Sequence, residues 1–272
     1  MDFSVCMSVY KNDKPEFVSL ALDSIINQTV RPSEIVMVVD GPISNELNHL
    51  LDEYDNKYSG LFNIIRLLEN KGLGNALKIA TEKAKYELIA RMDSDDIAAS
   101  DRFEKQLKCF QDDWDLSIVG STISEFIDTQ DNIVGYRVCP SSDEDIKNYM
   151  VKRCALNHVT VMFKKNEVIR VGNYQDWFWN EDYYLWIRMM LAGCKFANLP
   201  DILVNVRVGK DMYARRGGWR YFKSEALLQN YMWKHGMIGL FRYCYNVAIR
   251  FAVQIAMPNS LRGWVFRTFA RK

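Results

Sequence analysis

The fold is decided by the segment Glu87-Leu88-Ile89-Ala90-Arg91-Met92-Asp93-Ser94-Asp95-Asp96. Its apolar opening reads as a buried strand over 87–92, and three carboxylates, Asp93, Asp95 and Asp96, follow within four positions. Acids at the end of a buried strand lose hydration and repel one another, so a compensating charge is expected. Hard oxygen donors of this kind suit Mg²⁺ or Mn²⁺, and the usual companion of such an ion is a phosphate-bearing substrate.

Upstream of this segment, strand and helix signals alternate. Phe3–Val9 is strand-like; after Pro15, the residues Phe17, Leu20, Ala21, Ser24 and Ile25 mark one face of a helix. Glu34–Val39 is a β-branched run that ends at the turn Asp40-Gly41-Pro42. A polar helix (44–57), a strand (Phe62–Leu68) and a helix opened by Lys71-Gly72-Leu73-Gly74 lead back to the acidic segment. Beyond it, Ser100-Asp101 starts a helix to Gln111. This βαβαβαβ order predicts an α/β fold with a mostly parallel sheet and helices on both faces. Ligands of such sheets collect at the carboxyl ends of the strands, where Ser8-Val9-Tyr10, Asp40-Gly41 and Asp93-Ser94-Asp95 all stand.

The later sequence is less regular. Leu116–Ile127 and Ile133–Val138 flank Asp128-Thr129-Gln130-Asp131-Asn132 and read as an antiparallel hairpin. A polar helix (143–153) precedes a strand over Val159–Phe163. The aromatic stretch beginning Trp177-Phe178-Trp179-Asn180-Glu181-Asp182 reads as a loop entering a helix to Ala192. Strands over 195–208 and a helical, basic tail complete the chain.

Other readings of the acidic cluster fit poorly. A calcium loop of the EF-hand kind would need an oxygen ligand at 97 and Gly at 98, where Ile97 and Ala98 stand. The residue order of an aspartyl-nucleophile phosphatase is absent, and helix capping alone rarely takes three acids in four residues. Glu181-Asp182 forms a second acidic site. The helix dipole favours acids at a helix start, yet these two sit among aromatic residues, Trp179 included, that pack on sugar faces and desolvate a carboxylate toward a useful base. Lys71-Gly72-Leu73-Gly74-Asn75 is only loosely a phosphate-cradling loop, matching neither the P-loop nor the dinucleotide pattern. His158 before a strand is a candidate with a structural alternative, and Tyr10 and Asp40 carry weak signals of their own. Paired guanidiniums at Arg215-Arg216-Gly217-Gly218 suit a diphosphate.

Bulk properties narrow the setting. A chain of 272 residues, 49% hydrophobic, is long enough for one large domain. Its net charge of +1 hides an asymmetry. Residues 207–272 carry 13 Lys and Arg against Asp211 and Glu225, leaving 22 bases and 32 acids of the totals 35 and 34 for the rest. An acidic body with a basic tail points to an anionic surface, lipid or nucleic acid. The six cysteines are scattered with no Cys-x-x-Cys pair, against structural zinc or a disulfide framework. No signal peptide is visible and the longest uncharged stretch, Phe251–Leu261, is too short to span a bilayer, so a reducing, cytoplasmic setting is expected.

Taken in order, Ser8-Val9-Tyr10, Ser24–Thr29, Val38–Gly41, Asn70–Gly74, Arg91–Asp96 and Asn180–Tyr183 resemble the inverting glycosyltransferases of family 2. The likeness covers the first 210 residues or so and is nearer to bacterial enzymes that build O-antigen repeat units. It implies a GT-A fold over 1–210, with a nucleotide-sugar half (1–115) and an acceptor half (116–210), followed by a basic helical region (211–272). It implies a UDP-sugar donor: Tyr10 stacking on uracil, Asp40 bonding its edge, and Lys71 among the donor-binding residues. Asp93 would meet the ribose or the metal's water, Asp95 would ligate Mn²⁺ (or Mg²⁺), and Asp96 would lie beside the donor sugar. Asp182, with Glu181 second, would be the base for the acceptor hydroxyl, and His158, Trp179, Arg215 and Arg216 are acceptor-side candidates. The acceptor implied is a sugar on a polyprenyl diphosphate, which places the enzyme peripherally on the inner face of the bacterial inner membrane and leaves no role for nucleic acid. A metal-dependent nucleotidyltransferase and a non-catalytic sugar-nucleotide binder are the competing readings.

Overall fold

The strands of the first half are apolar on both faces because helices cover both faces. In the computed structural model, which describes residues 1–209 and 217–257, the elements run β1 (Phe3–Val9), α1 (Pro15–Ile26), β2 (Glu34–Val39), α2 (Asn45–Lys57), β3 (Phe62–Arg66), α3 (Leu73–Lys83), β4 (Leu88–Arg91), β5 (Ile97–Ala98) and α4 (Arg102–Asp112). The second half continues with β6 (Leu116–Phe126), β7 (Ile133–Arg137), α5 (Asp143–Met150), β8 (Met162–Lys164), α6 (Lys165–Arg170), α7 (Glu181–Leu191), β9 (Lys195–Arg207), α8 (Trp219–Lys234) and α9 (Leu240–Phe251).

These strands form one sheet in the order β3-β2-β1-β4-β8-β6-β9-β5, with β7 paired to β6. The first four are parallel; β8 runs antiparallel between β4 and β6 and stitches the halves together. Register puts Cys6 opposite Arg91 and Val9 opposite Val39, so the loops after β1, β2 and β4 emerge side by side. Alternation along β1 then sorts the core. Phe3, Val5, Met7 and Val9 face α1, α2 and α4, while Cys6, with Val36 and Val38 of β2, faces α3, α7 and α8.

Several sequence expectations shift. The inward face of α1 is Val18, Ala21, Leu22 and Ile25; Leu20 is exposed and Phe17 lies beneath the Arg207 guanidinium, 3.8 Å from its ring centre. The helix is thus turned from the predicted phase, because Val18 and Leu22 meet the sheet. The hairpin around Asp128 is present as β6 and β7, with Asp128 at φ 63°. The strand predicted over Val159–Phe163 is a tight turn at His158–Thr160 followed by the shorter β8. Residues 195–207 form one strand that absorbs Pro200 through irregular pairing with β6. Two short elements, β5 and α6, were not expected. The described part of the basic C-terminal region is no loose tail: Leu228 and Met232 of α8 and the following Ile238 are buried in the core cluster that holds α3 and α7.

Candidate active site

At the carboxyl ends of β1, β2 and β4 lies an open cleft of about 610 Å³. Its first wall is the turn after β1. The Asp13 amide donates to the Tyr10 carbonyl at 3.0 Å, and Asp13 Oδ2 accepts from the Tyr10 amide and from Ser94 Oγ, each at 3.0 Å. This leaves the Tyr10 ring 39% exposed on the cleft surface.

The second wall hangs on Asp40. Its buried carboxylate accepts the Lys71 amide at 2.7 Å on Oδ1 and the Gly72 amide at 2.9 Å on Oδ2, while its carbonyl accepts from Asn70 Nδ2 at 3.1 Å. One carboxylate therefore holds the loop that carries Lys71 into the cleft, with lone pairs left over. The close approach needs Gly41: at φ +86°, a Cβ there would sit 2.6 Å from the Asn70 nitrogen. Lys71 itself lines the cleft, its ammonium 3.7 Å from Glu69.

The acidic turn forms the floor. Arg91, the last residue of β4, is buried and grips Asp93 with both terminal nitrogens, one at 2.7 Å from Oδ2 and the other in close ion-pair contact with Oδ1. Asp93 and Asp95 line the cleft together with Asp13. Burial, and then the charges of Asp93 and Asp13, push Asp95 up to about 6. Asp96 points inward: it is 1% exposed, its Oδ1 accepts the Arg207 amide at 2.8 Å, and burial raises its carboxyl well above the usual range. Asp96 does not line the cleft, so a contact with a donor sugar remains a proposal while its bond to β9 is structural. Arg207 completes that clamp. Its Nε donates to the Asp95 carbonyl at 3.2 Å, and its guanidinium lies between the rings of Phe17 and Phe126.

Among the described residues no three His, Cys, Asp or Glu side chains form a ready-made metal cage. The donor set nevertheless fits a small hard cation. Asp95 has acidic neighbours at Asp93 and Asp13, only Asp93 of the three has an ion-pair partner among the described residues, and Mg²⁺-like ions bind through one or two carboxylates plus substrate phosphates and water. Asp95 and Asp93 are the residues that would hold it.

Opposite this floor, α7 begins with Glu181 and Asp182. Glu181 lines the cleft and packs close to the loop, since a Cβ on Gly74 would lie 3.3 Å from Glu181 Cβ. Burial and the charge of Asp182 push Glu181 up to about 7. Burial also raises Asp182, offset by a backbone amide at Tyr183 and by the charges of Arg137 and Arg91. Asp182 lies beside the cleft-lining residues rather than among them.

The aromatic loop before α7 is fixed from α8. Ser224 Oγ donates to the Phe178 carbonyl at 2.6 Å and accepts from Asn180 Nδ2 at 3.0 Å, and Trp177 Nε1 donates to the Ser224 carbonyl at 3.2 Å. So anchored, Trp179 holds φ 56°, rare for a bulky residue, and stacks on Phe178 with ring centres 4.8 Å apart, 49% exposed at the cleft rim. His158 lies elsewhere. Its Nε2 is 3.0 Å from Tyr174 Oη, its ring meets Trp186, burial lowers it well below the usual imidazole range, and it does not line the cleft. Arg215 and Arg216 lie outside the described residues.

The structure thus gathers Tyr10, Asp40, Lys71, Asp93, Asp95, Trp179 and Glu181 into one cleft. Sequence reasoning gave no role to Asp13, Arg91, Arg207, Asp176 or Arg220. Asp13 has a local signal, an acid in the loop after the first strand. Arg220 lines the cleft from α8 with its guanidinium 3.9 Å above the Phe178 ring, and nothing local marked it.

The family model for glycosyl transferase family 2 matches residues 4–178. The chain belongs to that family. It is 39% identical over 272 residues, all of both chains, to an uncharacterized glycosyltransferase of Haemophilus influenzae. It is 34% identical over 270 residues, 99% of this chain and 97% of the other, to UDP-Gal:alpha-D-GlcNAc-diphosphoundecaprenol beta-1,3-galactosyltransferase of Escherichia coli. Among solved structures, GalNAc-T7 with UDP, GalNAc and Mn²⁺ superposes with a TM-score of 0.69 at 17% identity, over 97% of this chain and 53% of that one, a likeness of fold. The architecture is GT-A and the protein is a glycosyltransferase.

Proposed function

We propose that this family 2 glycosyltransferase moves a hexose, glucose or galactose, from a UDP-sugar to an N-acetylhexosamine carried on a polyprenyl diphosphate, with inversion to a β-linkage, during synthesis of an O-antigen or related surface polysaccharide. The observation that carries this reading is the end-to-end similarity to the Escherichia coli galactosyltransferase, together with one cleft lined by Tyr10, Asp40, Lys71, Asp93 and Asp95. The setting that follows is the inner face of the bacterial inner membrane, and no helix among the described residues is long and apolar enough to cross it.

In this reading Tyr10 offers its ring to uracil, and Asp40 uses its remaining lone pairs for the base edge while holding Lys71 toward the diphosphate. Arg220 is the other cation of the described cleft lining and faces the same charge. A divalent ion bound at Asp95 and Asp93 would act as a Lewis acid and neutralise charge on the departing diphosphate. Asp182 takes the proton from the acceptor hydroxyl as its oxygen attacks the anomeric carbon on the face opposite the leaving UDP. Its carboxylate form is supported by a backbone amide at Tyr183 and by the charges of Arg137 and Arg91. Trp179 presents an apolar face for a sugar ring at the rim. His158 supports Tyr174 and Trp186 behind the site.

The test is a single panel of UDP-sugars with Mn²⁺ against GlcNAc- and GalNAc-diphosphate-lipid, with product mass and linkage determined. Hexose added to the lipid with release of UDP supports the reading. Release of pyrophosphate from a nucleoside triphosphate, or donor binding with no product, contradicts it.

A further inference from the structure

The helix α9 is built inside out. Its inward side packs Tyr243 on the core but is otherwise held by polar contacts: Asn246 Nδ2 donates to the Val151 carbonyl at 3.1 Å and to Gln229 Oε1 at 2.7 Å. Arg250 pairs with buried Glu225 and donates to the Lys152 carbonyl at 2.9 Å. Its outward side is apolar, with Leu240, Phe241, Tyr245, Ile249 and Phe251 exposed along one stripe and Phe241 88% accessible. Single exposed apolar residues are ordinary, whereas a contiguous stripe marks an interaction surface.

The neighbouring helix α8 extends this stripe at both ends. Trp219 lies edge-on to Phe251 at 6.4 Å, and Trp233 stacks on Tyr243 at 5.3 Å. The exposed charges that these two helices carry have one sign: Arg220, Lys223, Lys234 and Arg242 are exposed, while Glu225, the only acid in residues 217–257, is buried in its ion pair. An apolar stripe with tryptophans at its edges and a rim of cations matches the boundary between acyl chains and anionic headgroups. A second copy of this chain would bring one positive rim against another.

We propose that the outer face of the α8–α9 hairpin docks into the interface of an anionic lipid bilayer. This deepens the lipid-linked acceptor reading, on which it rests, by naming the surface that meets the membrane. The placement is apt. Arg220 lines the cleft and Tyr221 lies 6.2 Å from Trp179 at its rim, so the docked bilayer lies beside the cleft mouth.

The test uses the full chain with vesicles of phosphatidylcholine, alone or mixed with phosphatidylglycerol. Cys244 lies on the stripe and is the one exposed cysteine, so a bimane label there reports on this face. The expected results are quenching of that label by lipids carrying a quencher on the acyl chain, and preference for the anionic vesicles. Phe241→Ser combined with Tyr245→Ser should weaken vesicle partition about tenfold or more. The control Trp114→Ser, an aromatic 73% exposed on the turn after α4, should leave partition unchanged. No quenching, or equal partition by the double variant, overturns the proposal. So does a label shielded without lipid, in a dimer seen by light scattering (a second copy covers the face) or in a monomer (the chain's own residues cover it). Turnover of a short-chain, water-soluble diphosphate acceptor separates the two readings: if it persists while vesicle binding is absent, only the docking surface is wrong.

Discussion

Asp40→Asn isolates the joint on which the donor side of the cleft hangs. The carboxylate accepts two backbone amides, from Lys71 at 2.7 Å and Gly72 at 2.9 Å, at a site 3% exposed. Hydrogen bonds to a charged group contribute about 1.5–3 kcal/mol each. Asn keeps one acceptor and turns an NH₂ group toward the other amide, so one bond is lost and two donors oppose each other. The loop is partly open to water, which offsets some of this, and a net loss of about 2 kcal/mol in holding the loop is expected. Realised as loop disorder in the free enzyme, that is about thirtyfold in affinity for any ligand that needs Lys71 in place. Calorimetric titration with uridine, UMP and UDP reads the effect directly. The variant should lose far more affinity for UDP than for uridine, because the loop serves the phosphates. Equal losses for uridine and UDP, with thermal stability unchanged, would refute the anchoring role and leave Asp40 as a contact to the base alone.

Four other perturbations test separate links. Asp182→Asn should lower kcat by about 10²- to 10⁴-fold with donor affinity retained, as for loss of a general base. In the wild type, turnover should fall toward acid pH as the Glu181–Asp182 pair, both carboxyls raised by burial, takes up protons. An acid limb that disappears in Glu181→Gln would make Glu181 the base. Asp95→Ala should abolish the Mn²⁺-dependent part of UDP-sugar binding, measured by titration with and without the ion. Leu228→Ala, in the buried face of α8, should lower unfolding stability by about 2–5 kcal/mol in a denaturant titration, because that helix shares the core of α3 and α7.

The first four strands and their helices were legible because runs such as Phe3–Val9 and Glu34–Val39 are buried on both faces, and their turns carry Gly and Pro. The cleft followed from chain order alone: Tyr10, Asp40 and Asp93 each follow a parallel strand. What stayed hidden is long-range. Arg207 joins Asp96 and the Asp95 carbonyl across more than a hundred residues, and no local pattern announces such a clamp. The phase of α1 was misread because Leu20 and Phe17 are as apolar as Val18 and Leu22, and only the sheet chooses between them. The helix α9 has ordinary amphipathic spacing; that its polar side faces inward depends on Glu225, Gln229 and the carbonyls of Val151 and Lys152. Two residues suffice for β5 through its pairing with β9, and no periodicity can be read from two residues.

The central claim is inverting hexosyl transfer from this cleft, and the anomeric configuration of the product tests it most directly. The purified chain is incubated with Mn²⁺, the α-linked UDP-hexose it accepts and an N-acetylhexosamine-diphosphate-lipid, and the new linkage is examined by proton NMR. The account predicts a β-linkage, with the large anomeric coupling of diaxial protons, formed by the wild type and formed about a hundredfold or more slowly by Asp182→Asn. An α-linkage, or a β-linked product formed at the wild-type rate by Asp182→Asn, would contradict it.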